Sequence, residues 1–152
     1  MIKIMFVCHG NICRSPMAEF LMKDFLKKKG ENGIYVASSA TSSEELGNPV
    51  HYGTRRVLDR LGISCAGKVA TKLTANDYDK YDYFIGMDEQ NRRNMYRILG
   101  DDRQNKISLL LDYTPTPRSV ADPWYTGDFT ATYNDISLGI QKLYEYIKEK
   151  HQ

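Results

Sequence analysis

Cysteine and histidine are scarce in this chain, three of each in 152 residues. That scarcity excludes a disulfide-stapled scaffold, and the scattered positions offer no recognisable metal-ligand set. An odd cysteine count of this kind suits a reducing cytoplasm. Long apolar runs are lacking too. The N-terminal stretch Ile2-Lys3-Ile4-Met5-Phe6-Val7 carries Lys3 and is far short of the ~20 residues a membrane span needs, so neither a span nor a signal peptide is expected. No one sign of charge prevails, with 21 basic against 19 acidic residues and a net +2, which removes the basic field of a nucleic-acid binder. Repeats, low-complexity tracts and linker-like segments are missing as well. What remains is expected to be a single domain over residues 1–152, 41% hydrophobic and long enough to bury roughly 70% of its unfolded surface around one core.

Strand-like and helix-like stretches alternate along the chain. That is the pattern of an α/β fold, a central parallel twisted sheet of about four strands covered by helices on both faces. Strands are expected over 2–7, 34–38, 83–87 and 107–110. Residues 16–29 carry Met17, Phe20, Leu21 and Phe25 at helical spacing and stop at Lys27-Lys28-Lys29-Gly30. The three lysines suit the negative end of a helix dipole. Further helices are expected over 50–61, closed by Gly62, over 88–99, and over 129–150, where Ile136, Ile140, Leu143 and Ile147 share one face. Residues 113–127, punctuated by Pro115, Pro117, Pro123 and Gly127, read as a long loop. Such a sheet binds its ligand at the carboxyl ends of its strands, and Cys8 lies at one of them.

Residues 8–15 read Cys-His-Gly-Asn-Ile-Cys-Arg-Ser and lead into Pro16. Between Cys8 and Arg14 lie five residues whose N–H groups can curl around one oxyanion, and Gly10 offers the positive φ such a curl needs. Ser15-Pro16 looks like an N-cap followed by proline at the first helical position, which aims a positive dipole end at the loop. A thiol in that field, beside a guanidinium, is favoured as thiolate. Arg14 suits a phosphate because its planar fork binds two oxygens at once. These residues predict a phosphate-binding loop after the first strand, with Cys8 as nucleophile.

At these residues the chain resembles the low-molecular-weight protein tyrosine phosphatases, whose N-terminal signature is closely matched by residues 7–19. The resemblance returns at Ser38-Ser39-Ala40-Thr41, Gly47-Asn48-Pro49, Met87-Asp88-Glu89-Gln90-Asn91 and Ala121-Asp122-Pro123-Trp124-Tyr125-Thr126-Gly127. It implies a metal-free, cofactor-free hydrolase acting on phosphotyrosine-containing proteins and small aryl phosphates through a phosphocysteine on Cys8. Asp122 matches the family's general acid, then base; its own neighbourhood, an Asp-Pro turn, would not identify it. His9, Gly10, Asn11, Ile12, Cys13 and Ser15 would line the phosphate, with Asn11 and Ser15 stabilising the loop and the thiolate, and Ser38 supporting Asn11. Trp124 and Tyr125 would wall the slot for a phenyl ring. Asp88 either serves the site or starts its helix as an N-cap.

Three departures bear on specificity: His9 replaces a residue that is usually apolar or small, Glu44 replaces a common aromatic, and Lys68 stands where a histidine is often found. Arsenate reductases share the fold but need two further cysteines, and after Cys13 only Cys65 remains. Phosphoarginine phosphatases carry threonine where this chain has Ile12. A non-catalytic phosphate-binding module would lack Cys8, Arg14 or Asp122. Cys13, close to Cys8 on the loop, suggests a redox-sensitive enzyme in which the two sulfurs can be joined reversibly.

Overall fold

A computed structural model describes residues 1–152. Four parallel strands, β1 (Ile2–Cys8), β2 (Ile34–Ala40), β3 (Tyr83–Gly86) and β4 (Ile107–Leu109), form one sheet in the order β2-β1-β3-β4. Five helices alternate with them: α1 (Arg14–Lys29), α2 (Tyr52–Arg60), α3 (Glu89–Leu99), α4 (Pro123–Thr126) and α5 (Phe129–Lys150). The expected architecture is therefore the one observed. Strand β1 is central and apolar on both faces because each face is covered, and its alternation sorts residues between two cores. Ile4, Phe6 and Cys8 join Met17 of α1 and Ile136 and Ile140 of α5, whereas Met5 and Val7 join Leu73, Phe84, Ile107 and Met95 of α3.

Strand order reverses beside β1: the chain crosses from β2 over β1 to β3. The carboxyl ends of β1 and β3 therefore diverge into a crevice, the place where such sheets take a ligand. Cys8 ends β1, and Asp88 follows β3. Helix α1 ends as expected at Gly30, held at φ 69° in the left-handed region. Helix α2 starts two residues later than its sequence pattern suggests, since Pro49 pairs with Val69 in an isolated bridge and Val50 is buried there. The expected loop over 113–127 is only partly loop, because Pro123–Thr126 make one helical turn capped by the Asp122 carboxylate.

Candidate active site

The loop from Cys8 to Arg14 departs from its sequence reading at two places. The residue with positive φ is Asn11, at 58°, and not Gly10. Asparagine tolerates this seat, and here the side chain is rewarded for it. Its amide donates to Ser15 Oγ at 2.7 Å and to Ser38 Oγ at 2.9 Å, while its oxygen accepts the Thr71 N–H at 3.1 Å. Gly10 serves closeness: a Cβ there would stand 3.3 Å from Glu45 Cγ. Nor is Ser15 the N-cap of α1. The helix begins at Arg14 with Cys13 in the cap position and no side-chain cap, because the Ser15 hydroxyl is committed to the Cys8 sulfur at 3.0 Å. The Ser15 backbone N–H also donates to that sulfur, at 3.4 Å.

Behind the loop stands a buried carboxylate. Glu19, 5% exposed, accepts the Ser38 hydroxyl at 2.5 Å on one oxygen and Lys23 at 2.5 Å on the other. Lys68 Nζ lies 3.5 Å from the same carboxylate and donates to the Ser38 carbonyl at 3.0 Å. A carboxylate only accepts, so Ser38 must donate to it and receive from Asn11. With both amide hydrogens of Asn11 spent, the Ser15 oxygen also receives. The Ser15 proton is thereby left for Cys8. The sequence reading passed over Glu19; its one signal was a lone carboxylate in the helix turn that follows the loop, among Met17, Ala18 and Leu21.

Arg14 is 2% exposed and held on three sides. Its guanidinium donates to the Val120 carbonyl at 2.7 Å, pairs with Asp88 at 2.9 Å and reaches Asp122 at 3.4 Å. Asp88 thus combines both roles considered for it: one oxygen meets Arg14 and the other accepts the Asn91 N–H at 2.8 Å, capping α3. Asp122 is likewise divided, its second oxygen accepting the Trp124 N–H at 3.1 Å to start α4. Cys8, Cys13, Arg14 and Asp122 line a single hollow of about 230 Å³. Trp124, 59% exposed, and Tyr125, 85% exposed, form one side of its mouth. His9 and Glu44 also line it, and His9 Nε2 meets Glu44 at 2.8 Å, so these two departures are exposed partners at its edge. Ile12 also lines the hollow, and Ser38 stands behind it.

Both loop cysteines are free thiols. Cys13 is pushed up to about 12, first by burial and then by the neighbouring Cys8 and Asp122. Cys65 is raised as well, chiefly by burial, and lines a different hollow beside Arg55 and Asp59. No three His, Cys, Asp or Glu side chains gather as a metal site, and no helix is long and apolar enough to cross a membrane.

A strand-terminal thiol, a loop ending in a buried arginine and a carboxylate from a distant turn define the class suggested by the sequence. The family model for low molecular weight phosphotyrosine protein phosphatases matches residues 3–152, and the chain belongs to this family. Among curated relatives, the low molecular weight protein-tyrosine-phosphatase YfkJ of Bacillus subtilis is 40% identical over 155 aligned positions, covering 100% of this chain and 99% of its own. The crystal structure of YfkJ superimposes with a TM-score of 0.96 over 100% of this chain and 98% of that one, at 39% identity. The low molecular weight protein tyrosine phosphatase SP-PTP of Streptococcus pyogenes gives 0.85 over 96% and 93%, also at 39% identity. DARP, a drosophila arginine phosphatase, gives 0.88 over 97% and 98%, at 27% identity. The backbone alone therefore does not separate tyrosine from arginine as the residue served.

Proposed function

We propose that this chain hydrolyses phosphotyrosine in proteins, and small aryl phosphates, in two steps on Cys8. The observation that supports this most directly is the convergence of the Cys8 thiol, the Arg14 guanidinium and the Asp122 carboxyl on one hollow, with the Ser15 hydroxyl on the sulfur. In the first step the thiolate attacks phosphorus, the phosphorus–oxygen bond to the ring breaks, and Asp122 gives its proton to the departing aryloxide. In the second, Asp122 takes a proton from water as that water attacks the phosphocysteine, and the thiolate leaves with inorganic phosphate as product. Arg14 and the loop N–H groups hold the equatorial oxygens throughout. Trp124 and Tyr125 offer a wall for the phenyl ring. No step calls for a metal or a cofactor, and the free cysteines suit a cytoplasmic setting.

Two observations favour tyrosine over the rival chemistries. Ile12 presents a β-branched hydrocarbon to the hollow, which cannot orient water toward a phosphoramidate. Cys65, the one thiol left to relay electrons in an arsenate reductase, lies in a separate hollow. The test is hydrolysis of p-nitrophenyl phosphate with and without chelator, followed by matched phosphotyrosine, phosphoserine and phosphoarginine peptides. Chelator-resistant turnover, a preference for phosphotyrosine, and loss of turnover with retained binding of a phosphate mimic in Cys8→Ser are expected. Turnover within tenfold of the parent in Cys8→Ser would move the nucleophile elsewhere, and rates that depend on added metal would overturn the thiolate mechanism.

A further inference from the structure

A second hollow, of about 530 Å³, adjoins the first, and Trp124 is the one residue that lines both. Resting on the phosphotyrosine reading above, we infer that this second hollow receives an acidic side chain of the substrate protein, a few residues from the phosphotyrosine. Its polar equipment consists mainly of donors. Arg56 and Arg60, exposed and one turn apart on α2, face it together. Neither guanidinium takes part in an ion pair within the protein. Arg60 stands in the last turn of α2, where the helix dipole favours a cation, but Arg56 a turn earlier gains no such benefit and the pair repel each other. His51 adds a third donor: its Nδ1 accepts the Gly53 N–H at 3.1 Å, which leaves the hydrogen on Nε2. The carboxylate present, Asp128, is engaged in capping α5, where it accepts the Ala131 N–H at 2.9 Å.

The walls are preformed. His51 stacks between Tyr52, at 4.7 Å between ring centroids, and Phe129, at 5.3 Å, and meets the edge of Trp124 at 5.6 Å. Phe129 reaches this position because residue 53 is glycine: a Cβ there would fall 2.4 Å from the ring. Trp124 is the wall the two hollows share. At about 3.3–3.6 Å per extended residue, a side chain two to four positions from the phosphotyrosine passes over Trp124 and meets the arginines. Glu44 and Glu45 line the first hollow and not the second, so acid is favoured only where the peptide runs over Arg56 and Arg60, and the preference belongs to one flank.

The experiment compares kcat/KM for phosphotyrosine peptides that carry Glu, Ala or Lys at positions two to four on either side, with p-nitrophenyl phosphate as a substrate that has no flanks. Glu over Lys by about five- to tenfold on one flank is expected, the size that two surface ion pairs allow, shrinking as salt rises. The charge reversal R56E/R60E should invert that preference and R56Q/R60Q should abolish it, both with p-nitrophenyl phosphate turnover within twofold of the parent. Equal rates for all peptides, or a preference that survives in both variants, would overturn the inference while leaving the phosphatase reading intact. A parent inert toward p-nitrophenyl phosphate would overturn both.

Discussion

Glu19 sits four hydrogen bonds from the Cys8 sulfur, through Ser38, Asn11 and Ser15, and carries no atom to the hollow. Its effect is directional. It can only accept, so Ser38 donates to it, and the Thr71 N–H on the Asn11 oxygen at 3.1 Å turns the Asn11 amide toward both serines, so that the last proton in the series points at sulfur. Glu19→Gln keeps the shape but removes the charged acceptor that Ser38 donates to, which loosens the seat of Asn11 and of the Ser15 hydroxyl behind Cys8, while the Thr71 N–H on the Asn11 oxygen keeps Asn11 from turning round. Loss of one hydrogen bond to a charged group corresponds to roughly a tenfold to hundredfold fall in kcat. The rate at which iodoacetate alkylates Cys8 at pH 6 should fall with it, while KM for an aryl phosphate stays close to that of the parent. A lower melting temperature with an unchanged alkylation rate would make Glu19 a packing residue only. The motif residues Cys8 and Arg14 were legible in sequence because strand, loop and helix are contiguous there. Glu19 was not, since its partners Ser38 and Lys68 come from other parts of the chain.

Among the elements, α4 shows why a functional loop resists sequence reading. Four residues are too few to display a helical period, and Asp-Pro reads equally as a turn. Asp-Pro is also an N-cap followed by proline at the first helical position, which is how Asp122 starts Pro123–Thr126. The turn leaves its other oxygen facing Arg14, a contact across 108 positions that no local pattern reports. Substitution separates the two duties. Asn caps as well as Asp, so Asp122→Asn should retain α4 and the parent's melting temperature while kcat on phosphotyrosine falls by roughly 10²–10⁴, the worth of a positioned acid or base. That fall should shrink for aryl phosphates with more acidic leaving groups, which depart unprotonated. Asp122→Ala should add about 1 kcal/mol of instability from the lost cap. An equal loss for every leaving group would confine Asp122 to structure or to the second step.

For the molecule as a whole, the order of strands and helices was readable from the sequence, whereas the division of β1 between two cores, hidden in an unbroken apolar run, and the pairing of Tyr83 and Tyr113 with the last helix were not. Both phenols are pushed up to about 12, mainly by burial. Tyr83 meets His151 Nε2 at 2.9 Å just beyond α5, and Tyr113 meets Ser108 Oγ at 2.7 Å while packing edge-on against Tyr146 of α5 at 4.9 Å. An unfolded tyrosine ionises near 10, so between about pH 10 and 12 the folded chain holds protons that the unfolded chain has lost. Stability therefore falls as pH rises through this window, and the contribution is fully present below it. Cys13, raised from 9.0 to about 12, adds to the slope in the same direction from the lower end. Urea midpoints should be level near pH 8 to 9 and drop steeply from 10 to 12, with a shallower drop in Tyr83→Phe. A midpoint constant to pH 12 would mean that these phenols ionise freely in the folded chain, and that the seam between sheet and α5 is open to water.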